Sequence, residues 1–405
     1  MKIIDYITEE KINLSTNMSK IQNFCASKLR ETPLPKSQSE TWRISNKQKL
    51  SSLLEYQYDL NSYQPNIPSY LTSKKAIEIN VGNANQFNLK ENDWQIKELN
   101  TKEINFLIEE KIINNNSEPT WTNLLNHSLV SEENLLGIKI SGENIPPLQI
   151  FCNSKNNHFN AKTLILLIDE KTTVDLLQVN LGDKNSSLSL TTYVWLEKEA
   201  SLNHGVISLG NGTSNLLNSL DVIQKIGSNY KLSTIQMQYD FARFEVNINQ
   251  SEGGGHTTIR GMQVSNDNEQ IGTYTKVVFN GPKGYLDQLN KSLANDKSHS
   301  IFDGSIIVPK NAQKTDAAQL SRNLLLSNTA KIDTKPQLEI IADDVKCKHG
   351  ATITQLNEDE LFYMRSRGLT FAEASKLQLK SYYKEIIDSI PVLEEGLELL
   401  NHLLN

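Results

Sequence analysis

Three consecutive stretches decide the fold: "KLSTIQMQYD" (Lys231–Asp240), "ARFEVNINQ" (Ala242–Gln250) and "HTTIRGMQVS" (His256–Ser265). In each, apolar and polar side chains alternate, as in a strand with one buried face. The same texture begins near residue 145 with "KTLILLID" and "TVDLLQVNLG" and runs to "QLEIIADDVKCKHG" (Gln337–Gly350). Gly, Asn, Asp and Ser mark the turns, and no helix-length segment separates the strands. That excludes a βαβ array. Two architectures remain: a β-sandwich or barrel, and a β-solenoid whose coils stack every ~20–30 residues. Short alternating segments without long loops favour the solenoid. No hexapeptide repeat of the acyltransferase type occurs.

The flanks read differently, so three regions are expected: 1–145 helical and mixed, 146–355 the β core, 356–405 helical. Ile4, Ile7, Ile12, Ile21, Phe24 and Leu29 recur at helical spacing. "TPLPKS" (Thr32–Ser37) ends that helix, because proline fixes φ and donates no hydrogen bond. A strand is expected at "AIEINV" (Ala76–Val81) and a helix at "TKEINFLIEEKII". After Thr352 the pattern turns helical. Asn357 is an N-cap with Glu360 at capping-box spacing, Gly368 is a C-cap, and Thr370 with Glu373 repeats the N-cap signal. Pro391 precedes a last helix, "VLEEGLELLNHLL".

A net charge of -6 over 405 residues, with no dense Lys/Arg run, gives no general attraction for nucleic acid or anionic lipid. The three cysteines, Cys25, Cys152 and Cys347, are too few and too far apart for a disulfide framework, which points to a reducing compartment. The N-terminus "MKIIDYITEEK" reads as an amphipathic helix and not a signal peptide. The longest apolar run, "TLILLI" (Thr163–Ile168), is too short to span a bilayer. A cytoplasmic protein without membrane contact is expected.

In "ADDVKCKHGAT" (Ala342–Thr352) a thiol and an imidazole stand two residues apart. In a strand, Val345, Cys347 and His349 share one face, and Lys346 and Lys348 share the wet one. Upstream, Leu338, Ile340 and Ala342 are the inward set, so a corner falls at Asp343–Asp344. Thiolate and imidazole both ligate zinc or iron. A zinc site or cluster needs about four ligands, and no second Cys/His pair lies nearby. The spacing therefore leaves two readings: an ordinary half-buried strand, or a site completed by another chain. "EGGGH" (Glu252–His256) has strands on both sides and reads as a turn, not a phosphate cradle. No P-loop motif occurs. His204, in phase with Val206, reads as a packed core histidine. Cys25 and Cys152 read as small hydrophobes.

Lys314–Leu369 carries the run "DTKPQLEI-ADDVKC-HGAT" followed by "LFY-RSRG". This run resembles the SufB/SufD family of the Suf iron–sulfur cluster assembly system, in the C-x-H-G-A-T form of its SufD branch. Weaker similarity covers the rest, as in "SETWRIS", "WTNLLNHSLVSEENLLGIKI", "FNGPKGY" and "FDGSIIVPKNAQKTDA". The resemblance implies a right-handed parallel β-helix flanked by helical domains. It implies a non-catalytic scaffold subunit of a SufBCD complex. The partner SufB would pack on the end of the β-helix and the ATPase SufC on the C-terminal helices. A cysteine desulfurase would supply sulfide indirectly. A homodimer of the isolated chain is also compatible. A transient iron–sulfur cluster would be bound jointly with SufB, and ATP would enter only through SufC. Carried over by position, His349 is the implied ligand and Cys347 a second candidate; Arg365, Ser366, Arg367 and Gly368 fall where the family meets SufC. Lys348 stands where serine is common, on the face away from ligation. The rivals are a β-solenoid that only mediates assembly and, from the enzyme class, a β-helix polysaccharide lyase. Cysteine usage and the absence of a signal sequence argue against the lyase.

Overall fold

Backbone pairing in parallel, coil upon coil, organises the chain. The structure is a computed structural model that describes residues 2–3, 5, 18–35, 39–59, 67–81, 88–91, 93–113 and 119–403. It is mainly β, a parallel solenoid of about eight turns with helices toward both termini. One 18-stranded ladder wraps into two faces. The first face contains Leu148–Asn153, Thr173–Leu181, His256–Ser265, Tyr285–Ala294, Asp316–Leu325 and Lys346–Thr354. The second contains Leu135–Gly142, His158–Ile168, Ser187–Leu196, Gln270–Phe279, His299–Val308 and Lys331–Ile340. Two long strands, Ser201–Gln224 and Asn229–Gln250, turn the corner and serve both faces.

Register defines columns that run the length of the solenoid. One contains Leu148, Leu176, His204, Leu232, Ile259, Gln288, Gln319 and His349. Its step is 27 residues from Leu232 to Ile259 and 31 from Gln288 to Gln319. Inward residues such as Leu148, Leu176, Leu232, Val246 and Ile306 form the main core; each buried Leu or Ile stabilises by about 1.5–3 kcal/mol. Corners recur with the coils and need left-handed backbone. Asn157, Asn185, Asp267 and Asp296 supply it along one edge, Lys171, Glu199, Gly227, Gly254, Lys283 and Lys314 along the other. Asn, Asp and Gly adopt it cheaply, whereas other side chains cost roughly 1 kcal/mol. "EGGGH" is one such corner, with Gly254 donating to the Pro282 carbonyl at 2.8 Å.

The helices cover the outer surfaces. Helices α1 (Ser19–Glu31), α2 (Lys47–Leu53), α3 (Thr101–Ile112) and α4 (Trp121–Ser128) lie on the N-terminal side. Ile21, Cys25, Ile104 and Ile108 pack there with Ile165 and Tyr193 of the second face. Ile4, Ile7 and Ile12 lie outside the described residues. Helices α5 (Glu358–Ser366), α6 (Phe371–Ile387) and α7 (Gly396–Leu403) follow the solenoid. Tyr383, Ile386 and Ile387 of α6 pack on Leu177, Val179, Ile207 and Ile235, the outer side of the first face. The last helix begins at Gly396, later than the sequence pattern suggests. The Thr370–Glu373 capping box is complete, whereas Asn357 makes only its half of one, accepting from the Glu360 N–H at 3.1 Å. Gly368 (φ 100°) closes α5: its N–H donates to the Arg365 carbonyl, and the Leu369 N–H reaches Met364.

The two ends differ. At the N-terminal end Asn88–Lys90 and Trp94–Glu98 form an antiparallel hairpin that pairs with Leu135–Gly142, and Ile77–Asn80 adds to Leu148–Asn153. At the other end Lys331–Ile340 and Lys346–Thr354 each pair, among the described residues, with one strand, that of the preceding coil. Among the described residues no helix is long and apolar enough to cross a membrane.

Candidate metal centre

Cys347 and His349 lie on the last strand, at the open end. Cys347 continues a column through Ala317, Leu286, Thr257, Tyr230 and Leu202, all buried. His349 caps the column given above. Every residue beneath both is interior, so both side chains take inward positions of a coil above which, among the described residues, no strand pairs. Cys347 is half-buried and His349 exposed. Lys346 and Lys348 occupy outward columns and are exposed. The corner predicted at Asp343–Asp344 lies between the two terminal strands.

Partial burial pushes the Cys347 thiol above its ordinary value. The Asp316 carboxylate acts in the same direction, and the Ala317 N–H opposes both. The thiol therefore stays protonated near neutral pH until a cation displaces the proton. Around the pair, Ile340, Ile341 and Ile353 are exposed, Ile353 at 45%. Pro336, in the edge strand, has no N–H to offer. Among the described residues no group of three or more His, Cys, Asp or Glu side chains gathers to hold a metal. The donors present, one imidazole and one thiol, suit iron but do not complete its shell.

The other sequence candidates separate from this end. Arg365, Ser366, Arg367 and Gly368 are exposed at the end of α5. Ser366 Oγ donates to the Tyr363 carbonyl at 2.7 Å, and the Arg367 guanidinium lies 5.4 Å from the Tyr363 ring. Beside them Phe362 (74%), Tyr363, Phe371 and Leu377 are exposed, an apolar patch. His204 is fully buried, its Nδ1 3.0 Å from the Tyr230 hydroxyl; burial lowers its pKa to about 3. Cys152 is fully buried and its thiol is pushed up to about 12, and burial raises Cys25 likewise. Both are packing residues.

Sequence reasoning missed a polar cluster next to the open end. His299 Nε2 lies 2.7 Å from Asp333 Oδ2, and Asp333 also pairs with Lys331 at 2.7 Å. His299 Nδ1 lies 2.9 Å from Gln270 Nε2. Both ring nitrogens are engaged, so this histidine holds the last coil in place. Among the strands it also missed are Tyr285–Ala294 and Asp316–Leu325. After the apolar Leu286 and Ala317, the next inward residues are polar: Gln288, Asn290 and Ser292 in one, Gln319, Ser321 and Asn323 in the other.

Comparison with known proteins follows the same geometry. Residues 150–382 match the family described as SUF system FeS cluster assembly, SufBD core domain. An iron–sulfur cluster assembly SufBD family protein of Synechocystis is 34% identical over 204 residues, 50% of this chain and 45% of that protein. The iron–sulfur cluster assembly protein SufD of Escherichia coli is 38% identical over 149 residues, 36% of this chain and 34% of that protein. The chloroplastic protein ABCI7 of Arabidopsis thaliana is 30% identical over 243 residues, 59% of this chain and 51% of that protein. The matched part thus spans a third to a half of these relatives.

Proposed function

We propose that this chain, which belongs to the SufBD core-domain family of the SUF iron–sulfur assembly system, is a scaffold subunit that receives a nascent cluster at the open end of its solenoid. His349 offers a neutral imidazole to iron, and Cys347 a thiolate once its proton is displaced. One observation carries the reading: these two donors occupy core positions of a coil that no strand among the described residues covers. A second solenoid chain docked on the free strand edges would bring the remaining ligands; in this reading it is the SufB partner. The SufC ATPase docks on α5 and α6 around Phe362, Phe371 and Arg365–Gly368, and sulfide arrives from a cysteine desulfurase.

The route from α6 to the site is short. Lys291 Nζ contacts Glu385 Oε2 at 2.7 Å and the Tyr382 carbonyl at 3.0 Å. The Tyr382 hydroxyl donates to the Arg322 carbonyl at 2.6 Å, and Arg322 pairs with Thr352 on the strand of His349. Force applied to α6 by ATP turnover would reach that strand through one intervening ladder. The chain itself performs no chemistry on ATP in this reading, and it works in a reducing compartment such as the cytosol.

The test is anaerobic copurification of the tagged full chain with its partner subunits, wild type beside His349→Ala, with iron and sulfide measured in each complex. The expected result is an intact complex in both and a cluster in the wild type alone. Equal iron and sulfide in the two would overturn the ligand role and leave a chain that only mediates assembly.

A further inference from the structure

In the column beneath His349 the chemistry changes abruptly. Leu148, Leu176, Leu232 and Ile259, with the single buried His204 among them, occupy its closed-end coils, but Gln288 and Gln319 occupy the two coils next to His349. Aliphatic side chains evidently fit these positions. Burying an amide where leucine fits is unfavourable unless both ends of the amide are paired.

Their hydrogen bonds all run one way. Gln319 Nε2 donates to Gln288 Oε1 at 3.1 Å, and Gln288 Nε2 donates to Thr275 Oγ1 at 2.9 Å. This relay leads away from the open end and fixes the orientation of the Gln319 amide. Its carbonyl oxygen diverges from the nitrogen and so is not engaged by Gln288. Gln319 is only 2% exposed, and Oε1 is buried with no hydrogen-bond partner. The room for the amide is built in from the opposite face: a Cβ at Gly304 would collide with Gln319 Nε2. Above Gly304 the register places Pro336, which has no N–H to give. The register sets His349, whose imidazole is a donor, as the direct strand partner of Gln319 in the next coil.

We infer that Gln319 is the positioning residue for His349, its Oε1 accepting one ring N–H so that the other nitrogen presents its lone pair out of the open end toward iron. In the structure His349 is exposed and the bond is not made; rotation of the ring closes it. Adjacent strands lie about 4.8 Å apart, within reach of two long inward side chains. An accepting carbonyl behind a ligating histidine fixes the tautomer and raises the basicity of the ligating nitrogen. This inference rests on the ligand reading of His349.

The experiment uses the full chain with 15N-labelled histidine, as wild type, Gln319→Leu and Gln319→Glu, with His349→Ala as the assignment control. NMR of the metal-free chain reads the His349 tautomer. Ferrous iron binding to the reconstituted complex reads the consequence. The expected result is one dominant tautomer in wild type, a mixture in Gln319→Leu with iron binding weakened about 10- to 100-fold, and restoration of both readouts by Gln319→Glu, whose carboxylate still accepts. Leucine matches the aliphatic residues of the same column, so that variant should fold, and the glutamate variant is independent of it. An unchanged tautomer in Gln319→Leu overturns the inference whatever iron does. Loss of iron in His349→Ala with none in Gln319→Leu overturns it while sparing the ligand reading. If His349→Ala keeps its iron but the tautomer still responds to Gln319, the ligand reading fails and the positioning contact stands.

Discussion

The two ends of the solenoid follow one register and meet opposite fates. At the N-terminal end the hairpin over Leu135–Gly142 buries Ile96, Ile138 and Ile140 completely. At the C-terminal end Ile340, His349 and Ile353 hold equivalent inward positions and stay exposed. The difference is not in how the strands are patterned but in whether anything lies beyond them. A β-solenoid leaves free N–H and C=O groups at every uncovered edge, and natural coils are usually closed by a cap. That apolar side chains, an imidazole and a thiol stay uncovered there is what the proposed docking of a second chain would explain.

That contrast can be broken most directly by truncating one isoleucine at each end. Ile138→Ala at the covered end should destabilise by about 2–5 kcal/mol, the usual cost of a buried cavity. Ile353→Ala at the open end should change stability by less than about 0.5 kcal/mol in the isolated chain. Denaturant unfolding of both variants checks this. Equal losses would mean that the open end is closed in solution, for example by a second copy of this chain.

A second, smaller effect follows from the buried histidine of the His349 column. Burial holds His204 neutral, with a pKa lowered to about 3 against an ordinary value near 6.5. The unfolded chain binds this proton more readily than the folded one. Stability from His204 is therefore intact above pH 6.5 and declines as pH falls toward 3, by at most about 1.4 kcal/mol per pH unit. His127, also fully buried with a pKa lowered to about 3, adds a parallel loss. His204→Leu should flatten the acid limb of the stability curve relative to wild type, whatever it does to stability at neutral pH. Parallel curves would mean that water reaches His204.

The sequence was most legible where the solenoid is most ordinary. His256–Ser265 is one strand with the bounds the sequence suggests, Ile259 turning into the solenoid and Met262 and Val264 packing on its outer side. Tyr285–Ala294 and Asp316–Leu325 escaped because three successive inward residues of each, after Leu286 and Ala317, are Gln, Asn and Ser, which erases the hydropathy alternation that marks a strand. Those are the coils beneath His349, so the pattern fades where the candidate site begins. Coil steps that vary between 27 and 31 residues hide the columns as well. The shared face of Cys347 and His349 followed from period two alone. That no third ligand would join them within the described chain did not, since spacing says nothing of a partner.

The smallest effect on stability should come from the second exposed surface, the helical patch, and there the contrast with the covered face decides how to test it. Phe362 and Phe371 project into solvent, whereas Tyr383, Ile386 and Ile387 of the same module bury the outer side of the first face. Deleting residues 357–405 would strip cover from Leu177, Val179, Ile207 and Ile235, so a lost interaction could reflect a damaged solenoid. Phe362→Ser with Phe371→Ser removes only the exposed aromatics. Stability should stay within about 0.5 kcal/mol of wild type, while capture of the SufC ATPase should fall at least about tenfold, as expected when aromatic anchors of an interface are removed. Capture at wild-type level by the folded double variant would move the docking surface off α5 and α6, and with it the route by which ATP turnover would reach the strand of His349.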